Sequence, residues 1–267
     1  MTAPNRFSEG WSFGAEHASE RTREVRAALV PHLAPRSRVV LDVGGADGAI
    51  GLGLGGPDGL IICVDLDAER LRVGRAEALR SGRPARYVVA DATLLPIASR
   101  TCDVVLLYGI LELLPRPAAL VAEASRVLSA DGIGYLVVPN PLSPITVLDD
   151  PHTHLPFTHL LPRRLARWYA QRMGRRVKEL GEHFALPSYA RLQRMFAAEG
   201  LELGLVSNLA RIQDPEIVIS RRKRRLAERL RQIGFLRFAR TSPGRAVVGG
   251  YDRWLARSWA FVITRRS

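Results

Sequence analysis

Small residues and carboxylates recur at regular distances in the first third of the sequence. Asp42 is followed by the small-residue stretch Gly44–Gly48, Asp65 stands 23 residues beyond Asp42, and Asp91 follows later. A backbone that carries little side chain can approach a ligand closely. A carboxylate can accept two hydrogen bonds from a ribose diol, or one from an adenine amino group. The pattern therefore indicates a site for a nucleoside-containing ligand.

Two common phosphate-binding motifs are absent from the sequence. A dinucleotide fingerprint G-x-G-x-x-G beginning at Gly44 requires glycine at positions 46 and 49, and alanine stands at both. No G-x-x-x-x-G-K motif followed by serine or threonine occurs anywhere. These absences argue against a nicotinamide or flavin enzyme and against a P-loop protein.

The segments around these motifs alternate between short β-rich runs and amphipathic stretches of helical length. Strands are predicted at 38–43, 60–65, 86–90, 103–108, 132–138, 201–207 and 258–264. Helices are predicted at 16–33, 68–80, 117–128, 163–173 and 188–199. This alternation is typical of an α/β fold with a parallel sheet that is covered on both faces. Ligands of such sheets bind at the carboxyl ends of the strands, where the three aspartates stand.

Four stretches of the chain together resemble the class I S-adenosylmethionine-dependent methyltransferases of the broad small-molecule, methyltransferase-11-like type. They are VVLDVGGADG, IICVDLDAERL, YVVADATLLPIASRTCDVVLL and LPSYARLQRMFAAEGLELG, and they span about residues 36–207. The terminal run SWAFVIT is similar to the family's last strand. The resemblance implies a doubly wound, Rossmann-like, seven-stranded and mostly parallel α/β sheet of order 3-2-1-4-5-7-6, with the last strand antiparallel.

The same resemblance implies S-adenosyl-L-methionine as the cofactor and assigns contacts to it. Asp42 and the Gly44–Gly48 loop would surround the methionine moiety, and Asp65 would hold the ribose hydroxyls. Asp91, with the Ala92 backbone, would bind adenine. The full set of expected cofactor-binding residues is Asp42, Gly44, Gly45, Gly48, Asp65, Leu66, Asp91, Ala92 and Tyr108.

The sequence departs from the family pattern in and after the glycine-rich loop. Ala46 occupies a position where the family has glycine, and the following helix contains glycines 51, 53, 55 and 56. Glycine weakens a helix by up to about 1 kcal/mol relative to alanine, so this helix is expected to be short or mobile. A carboxylate after a strand more often caps a helix or closes a turn than binds a ligand. The joint spacing favours the cofactor role for Asp65 and Asp91, whereas both roles stay open for Asp47.

Residues that act on the methyl acceptor are expected in the loops after the fourth and fifth strands. The first of these loops reads YGILELL, so Glu112 is followed by Leu113 where family members often have histidine. The proline-rich stretch 139–161, predicted to lack regular structure, contains three of the six histidines of the chain. Histidine titrates near neutral pH, which makes His152 and His154 the candidate catalytic bases for a hydroxyl proton.

Two other roles for these histidines remain open. The histidines can cap turns of a polar loop, or they can bind a divalent metal together with Asp149 and Asp150. Of the three roles, the base or a substrate contact is favoured, and no metal ligand is assigned.

Positive charge is concentrated in the second half of the chain. Residues 1–150 carry 15 basic and 18 acidic residues, whereas residues 151–267 carry 24 and 8, and the total formal charge is +13. Within Arg221–Arg240, apolar residues lie near one helical face among many arginines. Such a helix can lie on an anionic membrane, cover a lipid-linked or phosphorylated substrate, follow a nucleic-acid backbone, or pack as a lid through its apolar stripe. Nucleic acid is the less favoured partner, because no RNA-binding module is recognised.

The sequence as a whole predicts a cytoplasmic enzyme. No secretory signal or membrane-spanning run is found, and the two cysteines lie in apolar stretches. The expected organisation is an N-terminal helical segment at 1–34, a cofactor-binding core at 35–207, a basic helical insert at 208–256 and a final strand at 257–267. The expected activity is O-methylation of a small-molecule, glycan or lipid-linked acceptor. An RNA methyltransferase and a non-catalytic, methyltransferase-like binding protein are the two alternatives.

Overall fold

One twisted sheet organises the chain, and its strands were largely predicted from the sequence. The computed structural model describes residues 15–33, 39–55, 59–175, 186–209, 213 and 221–266. The strands in these ranges are β1 (Val39–Val43), β2 (Leu60–Asp65), β3 (Ala85–Val89), β4 (Cys102–Tyr108), β5 (Leu128–Pro139), β6 (Leu201–Leu205) and β7 (Ser258–Arg265). Their order is β3-β2-β1-β4-β5-β7-β6, and β7 runs antiparallel to both of its neighbours. The predicted fold class and strand order are confirmed.

Helices cover both faces of this sheet. They are α1 (Ala15–Leu29), α2 (Ala49–Leu54), α3 (Ala68–Arg80), α4 (Pro117–Val127), α5 (Pro144–Leu148), α6 (Arg163–Arg172), α7 (Tyr189–Ala198), α8 (Arg221–Gln232), α9 (Phe235–Ala239) and α10 (Ser242–Gly250). A π-helical turn at Tyr251–Leu255 continues α10 toward β7. Short 3-10 turns lie at Val30–His32, Leu111–Leu113 and Thr158–Leu160.

The core consists of two apolar layers, one on each side of the central strands. Val25 and Leu29 of α1 pack on one face of β1 and β4. Leu192 and Phe196 of α7 belong to the larger layer on the other face, which they share with α4. Strands buried on both faces need continuous apolar runs, which explains why β4 reads CDVVLLY with little alternation.

Three expectations about local structure were wrong. The stretch 139–161, expected to be irregular, contains α5 and the 3-10 turn at Thr158–Leu160. The fifth strand begins at Leu128 rather than at residue 132, because a register shift lets Leu128 pair with Cys102 before Ile133 pairs with Val104. The basic helix expected within Arg221–Arg240 is divided into α8 and α9, since Gly234 adopts a left-handed φ of +77°.

The topology decides which loops lie at the same edge of the sheet. The parallel strands β1 to β5 all end at the carboxyl edge. Because β7 is antiparallel to β5 and β6, β6 ends and β7 begins at this same edge: Leu205 pairs with Phe261, and Pro139 pairs with Ser258. The segment between β6 and β7, which contains the basic insert, therefore leaves from and returns to the edge that carries Asp42 and Asp65.

Candidate functional site

Close backbone packing shapes the glycine-rich loop after β1. The N–H of Gly44 donates to the carbonyl of Val64 at 2.7 Å, and Gly44 adopts a φ of +66°. A Cβ atom on Gly44 would lie 2.2 Å from Cδ1 of Ile110, and one on Gly45 would lie 2.5 Å from the carboxyl carbon of Asp42. No side chain fits at either position, so the loop passes directly over the end of the sheet.

Asp42 lies beneath this loop with its side chain buried. Its Oδ2 accepts a hydrogen bond from the N–H of Gly51 at 3.1 Å. The pKa of Asp42 is raised to about 7, mainly by burial and also by the nearby carboxylates of Asp47 and Asp65, while the hydrogen bond from Gly51 opposes this rise. Asp42 therefore changes its charge near neutral pH and can respond to a ligand that enters the loop.

Asp65, the last residue of β2, is held by two backbone donors. Its Oδ2 accepts from the N–H of Ala46 at 2.9 Å, and its Oδ1 accepts from the N–H of Asp67 at 2.9 Å. Each carboxylate oxygen has a second lone pair, so the group can still accept hydrogen bonds from a diol. Ala46, the departure from the family's glycine pattern, adopts a φ of +54° to make its bond.

The expected adenine-binding residues lie next to Asp65 in the sheet. The N–H of Ala90 donates to the carbonyl of Asp65 at 3.2 Å, which places Asp91 at the same edge. Oδ1 of Asp91 accepts from the N–H of Thr93 at 2.7 Å and from its hydroxyl at 2.8 Å, and these bonds lower the pKa of Asp91. The turn role and the ligand role expected for Asp91 are thus compatible. Ala92 is buried and Leu66 is exposed.

The loop after β4 contributes a buried carboxyl group that the sequence analysis did not assign. Tyr108 ends β4, and Ile110 contacts the glycine loop through Gly44. Glu112 is only 3% exposed, and burial raises its pKa to about 7. Among the described residues, no hydrogen-bond partner reaches its Oε2. A buried polar atom without a partner is costly, so this position is suited to a donor from a bound molecule.

An ion pair determines the conformation of the histidine-rich loop. Oδ1 of Asp150 accepts from the N–H groups of His152 and Thr153, at 2.9 and 3.0 Å. Its Oδ2 lies 3.2 Å from Nδ1 of His159, whose Nε2 lies 3.0 Å from the carbonyl of Pro141. Both ring nitrogens of His159 face acceptors, and the bond to Asp150 raises the pKa of His159. Burial alone would raise the pKa of Asp150, but these hydrogen bonds lower it.

The two candidate bases have different surroundings within this loop. His154 is exposed, and its Nδ1 lies 3.0 Å from Oδ1 of Asp149, which also pairs with Arg257 at 2.8 Å. His152 is largely enclosed, and burial lowers its pKa to about 4. At neutral pH the imidazole of His152 is therefore uncharged and weakly basic, whereas His154 is held by a carboxylate with its Nε2 directed away from that bond.

Hydrogen bonds fix the histidine-rich loop to the start of β7. Nδ2 of Asn140 donates to the carbonyl of Ala256 at 2.9 Å. The hydroxyl of Ser143 donates to the carbonyl of Leu255 at 2.9 Å, and that of Thr146 to the carbonyl of Arg257 at 3.0 Å. The histidine-rich loop and the end of the insert are therefore one connected structure at the carboxyl edge.

The structure brings together part of the expected site. Asp42, Gly44, Gly45, Gly48 and Asp65 share one network, Asp91 and Ala92 follow β3 at the same edge, and Tyr108 ends β4 there. His152 and His154 lie in the loop after β5, also at this edge. Glu112 and His159 received no assignment in the sequence analysis, because their burial cannot be recognised from residue type or spacing. Among the described residues, no group of three or more histidine, cysteine, aspartate or glutamate side chains could hold a metal ion.

The comparisons with known proteins agree with this geometry. Residues 41–136 match the methyltransferase domain family. The YcgJ protein of Bacillus subtilis superposes with a TM-score of 0.53 at 19% identity, over 92% of this chain and 99% of that one. Phosphoethanolamine N-methyltransferase 2 of Haemonchus contortus, solved with phosphomonomethylethanolamine and S-adenosylhomocysteine, gives 0.55 at 12% identity, over 100% and 61%.

A third structure shows how much chemistry this fold accommodates. The cyclase SpnF has a TM-score of 0.52 at 16% identity, over 91% of this chain and 80% of that one. At such identities the likeness establishes the fold alone, and the activity must be argued from the site. No curated protein matches the sequence significantly.

Proposed function

We propose that this chain, a class I methyltransferase by its domain and its fold, transfers a methyl group from S-adenosyl-L-methionine to an oxygen atom of a small-molecule, glycan or lipid-linked acceptor. The observation that carries the proposal is the network of Asp42, the Gly44–Gly48 loop and Asp65. In this network a glycine-rich backbone segment and a carboxylate that would bind a diol lie at one edge of the sheet.

Three features of the site fit this cofactor. A Cβ atom at Gly45 would clash with the Asp42 carboxyl group, so glycine at this position lets the loop lie close to the end of β1. Asp65, held by Ala46 and Asp67, has acceptor capacity left for the ribose hydroxyls. Asp91 with Ala92 would bind adenine, and the buried carboxyl group of Glu112 would accept from a donor of a bound molecule. Gly44, Gly48, Leu66 and Tyr108 complete the proposed contacts.

When bound, the cofactor supplies an electrophilic methyl group on a sulfonium. The protein's contribution to such a displacement is alignment and, for a hydroxyl acceptor, removal of a proton. We assign the proton removal to His154, because Asp149 binds Nδ1 and leaves Nε2 to accept the proton. His152, enclosed and uncharged at neutral pH, would contact the acceptor.

The organisation of the chain follows from this division of roles. Residues 35–207 would bind the cofactor, 1–34 would be an N-terminal helical segment, and the insert at 208–256 would act on the acceptor side before the final strand at 257–267. The connection of β6 and β7 at the carboxyl edge supports that place for the insert.

The cofactor assignment is tested by calorimetry with S-adenosyl-L-methionine. Asp65→Ala is expected to weaken binding by about 10- to 100-fold, the value of one or two charge-assisted hydrogen bonds. Asp131→Ala, which removes an exposed carboxylate from the other end of the sheet, is the matched control and should bind as the unmodified chain does. A folded chain without affinity for the cofactor would overturn the proposal.

The reaction itself is tested with a labelled methyl donor. Extracts incubated with the protein and the donor are separated, and mass spectrometry identifies the labelled product and the atom that carries the methyl group. Label on oxygen of a small or lipid-linked molecule supports the proposal. Label on RNA supports the rival nucleic-acid function, and cofactor binding without any transfer supports a non-catalytic binding protein.

A further inference from the structure

Helix α6 presents apolar side chains to solvent and small ones to the protein. Its buried positions are Ala166 and Ala170, whereas Leu165 and Trp168 are exposed; the relative exposure of Trp168 is 63%. Leu165 and Trp168 are three residues apart and are neighbours on the helix surface. An exposed tryptophan beside an exposed leucine is unusual for a helix face that has no partner, because the exposure of apolar side chains to water is energetically unfavourable.

Helix α8 repeats this arrangement in the basic insert. The sequence left open whether its apolar stripe packs as a lid or faces a partner. In the structure Leu226 of α8 is 58% exposed and Ile233, the residue after α8, is 77% exposed, while Ala227 is buried. The lid alternative requires these large side chains to be covered, so their exposure favours a partner outside the chain.

A third exposed stripe lies between α10 and β7. Val247, Tyr251, Trp254 and Leu255 follow one another at helical spacing, and each is about half exposed. The position of this turn is fixed, because Asp252 is buried and accepts bonds from the N–H and Nδ2 of Asn208 at 3.0 and 2.9 Å. The stripe is thus held in place by the fold.

Arginine accompanies these apolar residues. Residues 221–257 contain twelve basic and two acidic residues, and α6 contains four arginines and no acidic residue. The guanidinium of Arg253 lies 5.2 Å from the centre of the Trp254 ring. Exposed tryptophan, aliphatic side chains and arginine together have the composition of a surface that enters the interface of an anionic bilayer.

We propose that three apolar–arginine patches, formed by Leu165 with Trp168, Leu226 with Ile233, and Trp254 with Leu255, dock on an anionic lipid bilayer. Aliphatic residues insert at the acyl boundary, tryptophan lies at the headgroup level, and the arginines contact lipid phosphates. This is peripheral contact: within the described residues, no helix is both long and apolar enough to cross a bilayer.

An RNA partner accounts for the charge but not for the apolar residues. Binding to a phosphate backbone requires cations, and single-stranded bases stack on aromatic rings, but neither interaction uses exposed leucine or isoleucine. A bilayer uses all three residue types. Because the insert returns to the carboxyl edge at β7, docking would bring a lipid-linked acceptor to the proposed active site. This consequence rests on the proposed function, whereas the docking itself does not.

Co-sedimentation of the full chain with vesicles tests the docking. Vesicles of phosphatidylcholine mixed with phosphatidylglycerol should bind the protein more than about tenfold better than phosphatidylcholine alone, and added NaCl should weaken the binding. The double variant Leu165→Ser, Trp168→Ser should lose about tenfold or more in affinity for the anionic vesicles. Circular dichroism verifies that the variant is folded, which is expected because both residues are exposed.

A matched control lies on α3, where Val73 and Leu79 are at least as exposed as Leu165 and Trp168 but do not belong to these three patches. The double variant Val73→Ser, Leu79→Ser should bind vesicles as the unmodified chain does. Asp65→Ala should also bind vesicles normally, so a failure of the proposed function leaves this test readable. Absence of vesicle binding, equal losses in both double variants, or salt-dependent binding to tRNA in place of vesicles would overturn the proposal.

Discussion

The backbone N–H of Ala46 donates a 2.9 Å hydrogen bond to Oδ2 of Asp65. This bond joins the loop after β1 to the last residue of β2, and thus couples the two parts of the proposed cofactor site. Ala46 makes it with a φ of +54°, which is costly for a residue with a Cβ atom. The orientation of the Asp65 carboxylate therefore depends on the one loop position that departs from the family's glycine pattern.

Substitution of Ala46 should reveal this dependence. Ala46→Gly removes a backbone strain of about 1 kcal/mol, but glycine also gives the unfolded chain more conformational freedom. Because these effects oppose each other, the free energy of unfolding should change by less than about 0.5 kcal/mol, and the cofactor affinity should be retained. Ala46→Val should destabilise by about 2 kcal/mol or more and weaken cofactor binding, since a β-branched residue fits this conformation worse. Chemical denaturation and calorimetry measure the two effects.

Gly82 provides the reference for that experiment. It adopts a φ of +63° with open space around its Cα, so Gly82→Ala should show the cost of the conformation alone, about 1 kcal/mol, with no change in cofactor affinity. Equal cofactor affinity in Ala46→Val and the unmodified chain would show that the Ala46–Asp65 bond does not position the site.

Asp42 should make the protein less stable as pH rises. Its pKa in the fold is about 7, above the unfolded value, so the carboxyl group favours the folded state at low pH and loses this contribution as pH rises through 7. Asp42→Asn should therefore gain unfolding free energy relative to the unmodified chain between pH 5 and pH 8, on the order of 2 kcal/mol. Denaturation at both pH values tests this. If the difference in unfolding free energy between Asp42→Asn and the unmodified chain is the same at pH 5 and pH 8, the burial argument is contradicted. Asp131→Asn is the exposed control.

The assignment of the base predicts a separation of turnover from binding. His154→Ala should lower kcat by about 100-fold with the dissociation constant of the cofactor unchanged, because proton removal is lost and the cofactor loop is untouched. Asp149→Asn should lower kcat less, since it removes only the group that orients the ring. His32→Ala, an exposed histidine before β1, is the control. Equal rates for His154→Ala and the control would remove His154 from the mechanism.

The His159–Asp150 pair should stabilise the fold over a defined pH range. The raised pKa of His159 stabilises the fold fully below about pH 6.5, and this contribution is lost as pH rises through the pKa of His159 in the folded state. The lowered pKa of Asp150 stabilises the fold above about pH 4, and this contribution is lost on acidification. His159→Gln should therefore cost most between about pH 4 and 6.5, on the order of 3 kcal/mol.

Thermal unfolding across this range measures the effect of His159→Gln. His154→Gln is the matched control, because its pair with Asp149 is exposed and should contribute less than about 0.5 kcal/mol. A loss of stability that is equal at pH 5 and pH 9 would show that His159 acts through packing and not through its charge.

The sequence predicted the sheet well and the loops after it poorly. The strand at 60–65 and the helix at 68–80 were predicted to the residue. A buried parallel strand and an amphipathic helix preceded by an aspartate each produce a pattern that is recognisable in the local sequence. The stretch 139–161 was expected to be irregular because of its prolines. It is ordered by contacts with residues 255–257, far away in sequence, which no local pattern reveals.

The histidines illustrate the same limit. Residue type alone made His152 and His154 candidate bases and gave His159 no role. The fold encloses His152 so that its pKa falls to about 4, pairs His154 with Asp149, and uses His159 to hold the loop through Asp150. Three histidines within eight residues therefore differ in their surroundings and in their roles, because the fold buries them to different extents and gives them different partners.

By itself, the sequence determined the α/β class, the strand order through its family resemblance, and the positions of Asp42, Asp65 and Asp91 at the carboxyl ends of successive strands. These features are encoded locally, in apolar runs, small residues and the residues at the end of each strand. Only the tertiary structure decided which charges are buried, which loops meet at the carboxyl edge and which apolar residues remain in water. Those properties depend on contacts between distant segments, such as Ala46 with Asp65 and Thr146 with Arg257, and such contacts exist only once the chain has folded.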